Sequence, residues 1–179
     1  NTASIVNWMP INTYTLSNYV DEYNLDSMND STVFEETKSI LSNSSSTDGN
    51  VIFIQFDELD VAGHSHEFSP NNEEYINTAG KIDNYAQELF NIIEQKRQNK
   101  EDWIFIIVSD HGGEGTEHGD ANNPNINTTI FLTEHPFIEF RGNCCYISSQ
   151  VDIAPSILHF LGISSSQFDR KTDGNSILL

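Results

Sequence analysis

Two hydrophobic runs, Val51-Ile52-Phe53-Ile54-Gln55-Phe56 and Trp103-Ile104-Phe105-Ile106-Ile107-Val108, set the frame of this chain. Runs of this length, rich in β-branched residues, predict strands buried on both faces of a parallel sheet. Between them, Ile76, Ala79, Ile82, Ala86, Leu89 and Ile93 recur at three- and four-residue spacing. That period predicts a helix over about 73–98 with one buried stripe. Strand, helix and strand in this order predict a βαβ crossover that carries both strand ends to the same sheet edge.

The remaining pattern is weaker. Ile5 to Pro10 reads as a short strand stopped by proline. Ser31 or Thr32 is placed to cap a helix through Leu41, with Val33, Ile40 and Leu41 as its apolar positions. The polar stretch Ser42 to Asn50 reads as a surface loop, and Thr129 to Leu132 as a further strand. Asp152 is placed to cap a last helix with Pro155 in its first turn, Ile157, Leu158 and Leu161 inward, and Gly162 as its stop. These elements predict an α/β fold: a mainly parallel sheet with helices on both faces, in one domain over residues 1–179. No apolar stretch approaches the roughly 20 residues that span a bilayer.

Charge narrows the choice of partners. Eight Lys and Arg against 27 Asp and Glu leave a formal charge of −19, which disfavours long nucleic acid, because binding a polyanion requires a basic surface. A small phosphorylated substrate remains compatible, since bound divalent cations reverse the local field. Cys144 and Cys145 are adjacent and form no metal-type spacing. Asn29, Asn43 and Asn127 begin N-x-S/T triplets, which an Asn- and Ser-rich chain also supplies by chance.

Each strong strand runs into a loop of carboxylates, histidines and glycines. After Phe56 come Asp57, Asp60, Gly63 and His64; after Val108 come Asp110, His111, Gly112, Gly113 and then His118-Gly119. Asp and His offer hard oxygen and borderline nitrogen donors, a mix suited to zinc and other divalent metals. Delivered from two adjacent strand ends, they read as a metal centre. The glycines at 63, 112, 113, 115 and 119 read as positions where a Cβ would obstruct a turn. The bland alternative for the acidic and histidine residues is helix capping and loop hydrogen bonding. Asp57 reads as an orienting or turn residue, His66 as a neighbour, and His135 and His159 as structural or exposed. Glu114, Glu117, Asp83 and Asp152 read as solvated or capping positions.

Four motifs in order, Asp60-Val61-Ala62-Gly63-His64, Ser109-Asp110-His111-Gly112, His118-Gly119 and the closing Gln150 to Leu158 with Leu161-Gly162-Ile163, resemble the alkaline phosphatase superfamily. The resemblance is to its type I phosphodiesterase and nucleotide pyrophosphatase branch, from about Asn50 to the C-terminus, with Asp173 to Ile177 included. It implies metal-dependent hydrolysis or transfer of phosphoric esters by two divalent ions, zinc foremost, with Mn, Fe or Mg also suited to the ligands. Asp60, His64 and His118 would hold one metal, and Asp110 and His111 the other.

The family also places a further Asp and a Ser or Thr nucleophile on earlier strand ends, and nothing before Val51 fits that role. Thr13 and Thr15 follow a short strand without an Asp at its end. Asp21, Asp26 and Asp30 follow no apolar run. The stretch Trp8 to Asn12 resembles a part of the family that lies beyond the nucleophile. The expectation is therefore the C-terminal portion of such a catalytic domain, with no catalytic residue of its own, completed by the missing N-terminal half. The alternative is a metal-binding or interaction module that performs no chemistry. Location is left open; family habit leans secretory or extracytoplasmic.

Overall fold

The most deeply buried strand is β1 (Thr2–Val6), not either of the two strongly hydrophobic runs. It lies at the centre of a three-stranded parallel sheet of order β2–β1–β3, with β2 at Glu22–Tyr23 and β3 at Val51–Gln55. The register pairs Thr2 with Val51 and Val6 with Gln55. The strand ends at Val6 rather than running to Pro10. Two side chains explain the stop. Asn24 accepts from the Val6 N–H at 2.9 Å and donates to the Val6 carbonyl at 2.8 Å, standing in for the next residue of β2. Buried Asn12, from a π-helical turn at Asn12–Leu16, donates to the Asn24 side chain at 2.8 Å and so completes the pairing. The computed structural model describes all residues except 25, 27–28, 45–48, 136–147, 169–170 and 179. Cys144 and Cys145 lie outside the described residues.

Helix α1 (Asp30–Asn43) begins slightly before the position expected from sequence. Asn29, in extended conformation, accepts from the Thr32 N–H at 2.9 Å, which makes it the N-cap and puts Ser31 and Thr32 inside the first turn. Its buried face is Val33, Phe34, Thr37 and Leu41. After β3 come α2 (Glu58–His66) and the long α3 (Glu73–Gln98), capped by Asn72. The α3 stripe is buried only in its second half, at Leu89 and Ile93, while Ile76 is 46% exposed. Leu89 and Ile93 form one core with Phe34, Leu41 and Trp103, and Ile52, Ile54, Phe56 and Phe105 pack around it.

The expected crossover is corrected by the second sheet. β4 (Phe105–Val108) pairs antiparallel with β5 (Phe131–Glu134), Phe105 opposite Glu134. Among the described residues it does not pair with β3. The chain returning from β4 is tied to it directly, Ser109 N–H to the Ile130 carbonyl and Ile130 N–H to Ser109 Oγ. Arg97 of α3 holds the other end: its guanidinium donates to the Trp103 and Glu134 carbonyls and pairs with the Glu134 carboxylate. Burial on both faces is not realised either. Ile52 and Ile54 face the helices, whereas alternate Phe53 is 43% exposed, as is Val108 at 38%. The result is an α/β arrangement with a small parallel sheet. α4 (Pro124–Asn127) and α5 (Ile153–Phe160) complete it. No described helix is long and apolar enough to cross a membrane.

One buried acid joins the sheet to α2. Asp30 is fully buried, and its carboxylate accepts from the N–H groups of Asp57 (2.9 Å) and Glu58 (3.0 Å) and from Asn7 Nδ2 (2.8 Å). Burial pushes its carboxyl above the ordinary carboxylate range, against those hydrogen bonds. Asp30→Asn turns one acceptor into a donor facing the Glu58 N–H. The expected loss is about 1–3 kcal/mol, read by urea denaturation. A raised folded pKa means that Asp30's contribution is complete below its ordinary value and is lost as pH rises through the folded one. The wild-type advantage over Asp30→Asn is therefore expected to be larger near pH 4 than at pH 7.

Candidate metal centre

The first ligand segment is helical, not the loop expected from sequence. Asp60 and His64 stand four residues apart on α2, and one helical turn aligns them on the same face. Asp30 fixes the start of this helix at Asp57 and Glu58. The second segment, after β4, folds back on itself: Glu114 and Glu117 exchange backbone hydrogen bonds at 3.0 and 3.1 Å around Gly115, whose φ of +57° suits a residue without Cβ. That reversal carries His118 back over α2.

Three side chains then converge. His64 Nε2 and His118 Nε2 are 3.0 Å apart. Asp60 Oδ2 lies 3.5 Å from the first and Oδ1 lies 3.6 Å from the second. Two donors bound to one tetrahedral zinc at 2.0–2.1 Å sit about 3.3 Å from each other, close to the separation of each imidazole from its nearer Asp60 oxygen. Asp60 Oδ1 is buried and has no hydrogen-bond partner. A buried carboxylate oxygen left without a donor is destabilising unless a cation meets it. Thr116 supplies the orienting contact: its carbonyl lies 2.7 Å from His64 Nδ1, so that nitrogen carries the proton and Nε2 keeps its lone pair. Taken together, the donor set and its spacing fit a zinc-type cation.

Asp110 and His111 are near this group without joining it. His111 stacks on His118 at 3.8 Å between ring centroids, with Nε2 3.9 Å from Asp60 Oδ1 and 3.7 Å from Asp110 Oδ2. Its Nδ1 faces the Gly112 carbonyl at 2.8 Å, which again leaves Nε2 as the free nitrogen. The Asp110 side chain is 90% exposed. Its backbone is held by Gln150, whose Nε2 donates to the Ser109 and Asp110 carbonyls at 2.7 Å each. Of the five residues expected from sequence, Asp60, His64 and His118 form one cluster with ligand atoms within 4.8 Å of one another.

The other candidates take structural places. Asp57 accepts from Gln55 Nε2 and is a turn residue before α2. His66 is exposed, and Glu114 accepts from Asn123 and Asn125. Asp152 is buried, bound to the N–H groups of Ser149 and Asn175. His135 pairs with Asp102, and His159 with Ser176. Asp83 lines a shallow groove of about 200 Å³ between α3 and the β4–β5 pair. Sequence reading set Asp30 aside for want of an apolar run before it, took Gln150 only as the start of the closing motif, and gave no role to Thr116, Phe68 or Tyr75, whose hydroxyl pKa is raised by burial and then by the Asp60 charge. Four of these act through backbone groups or packing, which leave no motif. Phe68 acts through packing as well, and the glycines at 63 and 113 that make room for it read from sequence as turn positions.

The glycines divide by cause. Of those in the two ligand segments only Gly115 has a positive φ. Gly63 and Gly113 leave room for the Phe68 ring, and Gly112 for the carbonyl of Asn125. Gly119 has neither constraint.

A family model for type I phosphodiesterase / nucleotide pyrophosphatase matches residues 1–154. The match starts before the motif resemblance and stops within α5. No curated protein and no solved structure matches significantly.

Proposed function

Because this chain belongs to the type I phosphodiesterase / nucleotide pyrophosphatase family, we propose that it hydrolyses or transfers phosphoric esters at a centre of two divalent ions, zinc foremost. The family's chemistry is phosphoester hydrolysis of the phosphodiesterase or pyrophosphatase type. Asp60, His64 and His118 hold one ion, and Asp110 and His111 contribute to the other. The observation that carries the reading is the approach of His64 and His118 Nε2 to 3.0 Å beside a buried, unpartnered oxygen of Asp60. When bound, such ions polarise the phosphoryl group and favour the ionised form of an attacking hydroxyl.

The residues of this chain position rather than attack. The Thr116 carbonyl sets the His64 tautomer, the Gly112 carbonyl sets that of His111, and Gln150 anchors the Asp110 backbone. In this reading residues 1–179 are the C-terminal part of an alkaline-phosphatase-like catalytic domain. The nucleophile and a further ligand come from its N-terminal half. The half-exposed β3 and the outer edge of β4, unpaired among the described residues, are consistent with strands added from outside. The substrate is a small phosphorylated molecule whose charge the metals offset.

A second reading is favoured by Asp110, exposed and outside the cluster: a module that binds one metal and performs no chemistry. Elemental analysis and activity against a chromogenic phosphodiester, each with a chelator control, separate the two. About one zinc per chain with no turnover, in protein that includes the N-terminal half, supports the module. Chelator-sensitive turnover by that protein supports the enzyme. Absence of any bound divalent metal from it overturns both.

A further inference from the structure

Phe68 does not carry a metal-binding group, yet both ligand segments close on it. Its ring occupies the space that a Cβ on Gly63 of α2 would need, and equally the space of a Cβ on Gly113 in the segment after β4. Its edge contacts are with the candidate ligands themselves: His64 at 5.5 Å and 78°, His118 at 6.1 Å and 88°. Tyr75 of α3 closes a further side at 5.8 Å. The Phe68 N–H donates to the Gly115 carbonyl at 2.7 Å, tying the residue to the turn that returns His118. The chain bends into this place through Glu67, a non-glycine residue at φ +87°, a conformation that holds only where its surroundings enforce it.

We propose that Phe68 is a positioning residue that sets the separation of His64 and His118 by wedging its ring between α2 and the segment after β4. This rests on the reading of Asp60, His64 and His118 as ligands of one metal. The two glycines have no other use for their missing side chains, since neither has a positive φ. Edge-on contact with an aromatic ring is directional as well as apolar, so the Phe68 ring favours one orientation of each imidazole. Glycine at 63 and 113 and phenylalanine at 68 are thus one device.

The test uses zinc affinity of purified protein that includes the N-terminal half, the absorption spectrum of its cobalt(II) form, and thermal stability without metal. Phe68→Ala is expected to weaken zinc binding about 10- to 100-fold, the range for residues that orient ligands, and to change the tetrahedral cobalt spectrum. Phe68→Leu, which refills much of the slot, is expected to recover part of the affinity. In metal-free protein, Gly63→Ala is expected to lower the melting temperature in the wild-type background and to have much less effect beside Phe68→Ala, because the obstructing ring is gone. Wild-type zinc affinity and cobalt spectrum in folded Phe68→Ala overturn the proposal and leave the metal site standing. A stability loss with unchanged affinity makes Phe68 a packing residue only, and so does equal Gly63→Ala damage in both backgrounds. Failure of that wild-type protein to bind zinc or cobalt overturns the ligand reading itself and this proposal with it.

Discussion

Asp60→Ala is expected to weaken zinc binding by more than about 100-fold, since each ligand of a protein zinc site contributes a few kcal/mol. Asp60 is the residue on which the other candidates depend. Its Oδ2 faces His64, and its Oδ1 faces both His118 and His111. It is the carboxylate of the set that meets three imidazoles. Without metal the same substitution should alter stability by no more than about 1 kcal/mol, because it also removes an oxygen that lacks a donor. Zinc at a thousandfold excess over its Kd stabilises a folded protein by about 4 kcal/mol, roughly 8–16 °C for a chain of this size. The wild type should show that shift and Asp60→Ala should not. Asp110→Ala, at an exposed carboxylate, should leave the shift largely intact. Melting curves with and without zinc, beside elemental analysis, decide it: full zinc content in Asp60→Ala would remove Asp60 from the ligand set.

Gly112→Ala is the second large effect, and its cause is steric. A Cβ at this position would overlap the Asn125 carbonyl oxygen and crowd that of Thr128. Both are backbone atoms held in and around α4, so they cannot swing aside as a side chain can. The Gly112 N–H also donates to the Ile126 carbonyl at 2.7 Å, a bond that the displaced loop would lose. Overpacking of about 1–3 kcal/mol and a lost hydrogen bond of about 1 kcal/mol give about 2–4 kcal/mol. That is roughly 4–16 °C in melting temperature. The Gly112 carbonyl orients His111, so the imidazole should move with the loop, visible as a shifted ring resonance by NMR. Gly119→Ala is the control: no atom lies near its Cβ position, and a change within about 0.5 kcal/mol is expected. Equal melting temperatures for the two variants would refute the steric account.

Some of this was legible in the linear chain because it depends on local chemistry. The α3 period and the Gly162 stop with its φ of +78° need only the geometry of one helix. The cap of α1 was misplaced by two or three residues because Asn29, Ser31 and Thr32 are all competent caps. Only the backbone conformation selects Asn29. The βαβ inference failed for a different reason. Hydrophobic periodicity reports how many faces a strand is suited to cover, not which neighbour it has. β4 is suited to a sheet interior but, among the described residues, is paired with β5 alone.

The sequence by itself determined the donors, their order and the family motifs, because residue chemistry and short spacings survive any packing. Tertiary structure alone decided that Asp60, His64 and His118 form a cluster while Asp110 stays exposed, since those distances depend on how two remote segments close. It also decided the roles of Asp30, Thr116 and Phe68. A buried carboxylate aimed at two amides, a carbonyl facing an imidazole and a ring filling two glycine positions are relations between distant residues, and no local pattern of the chain encodes them.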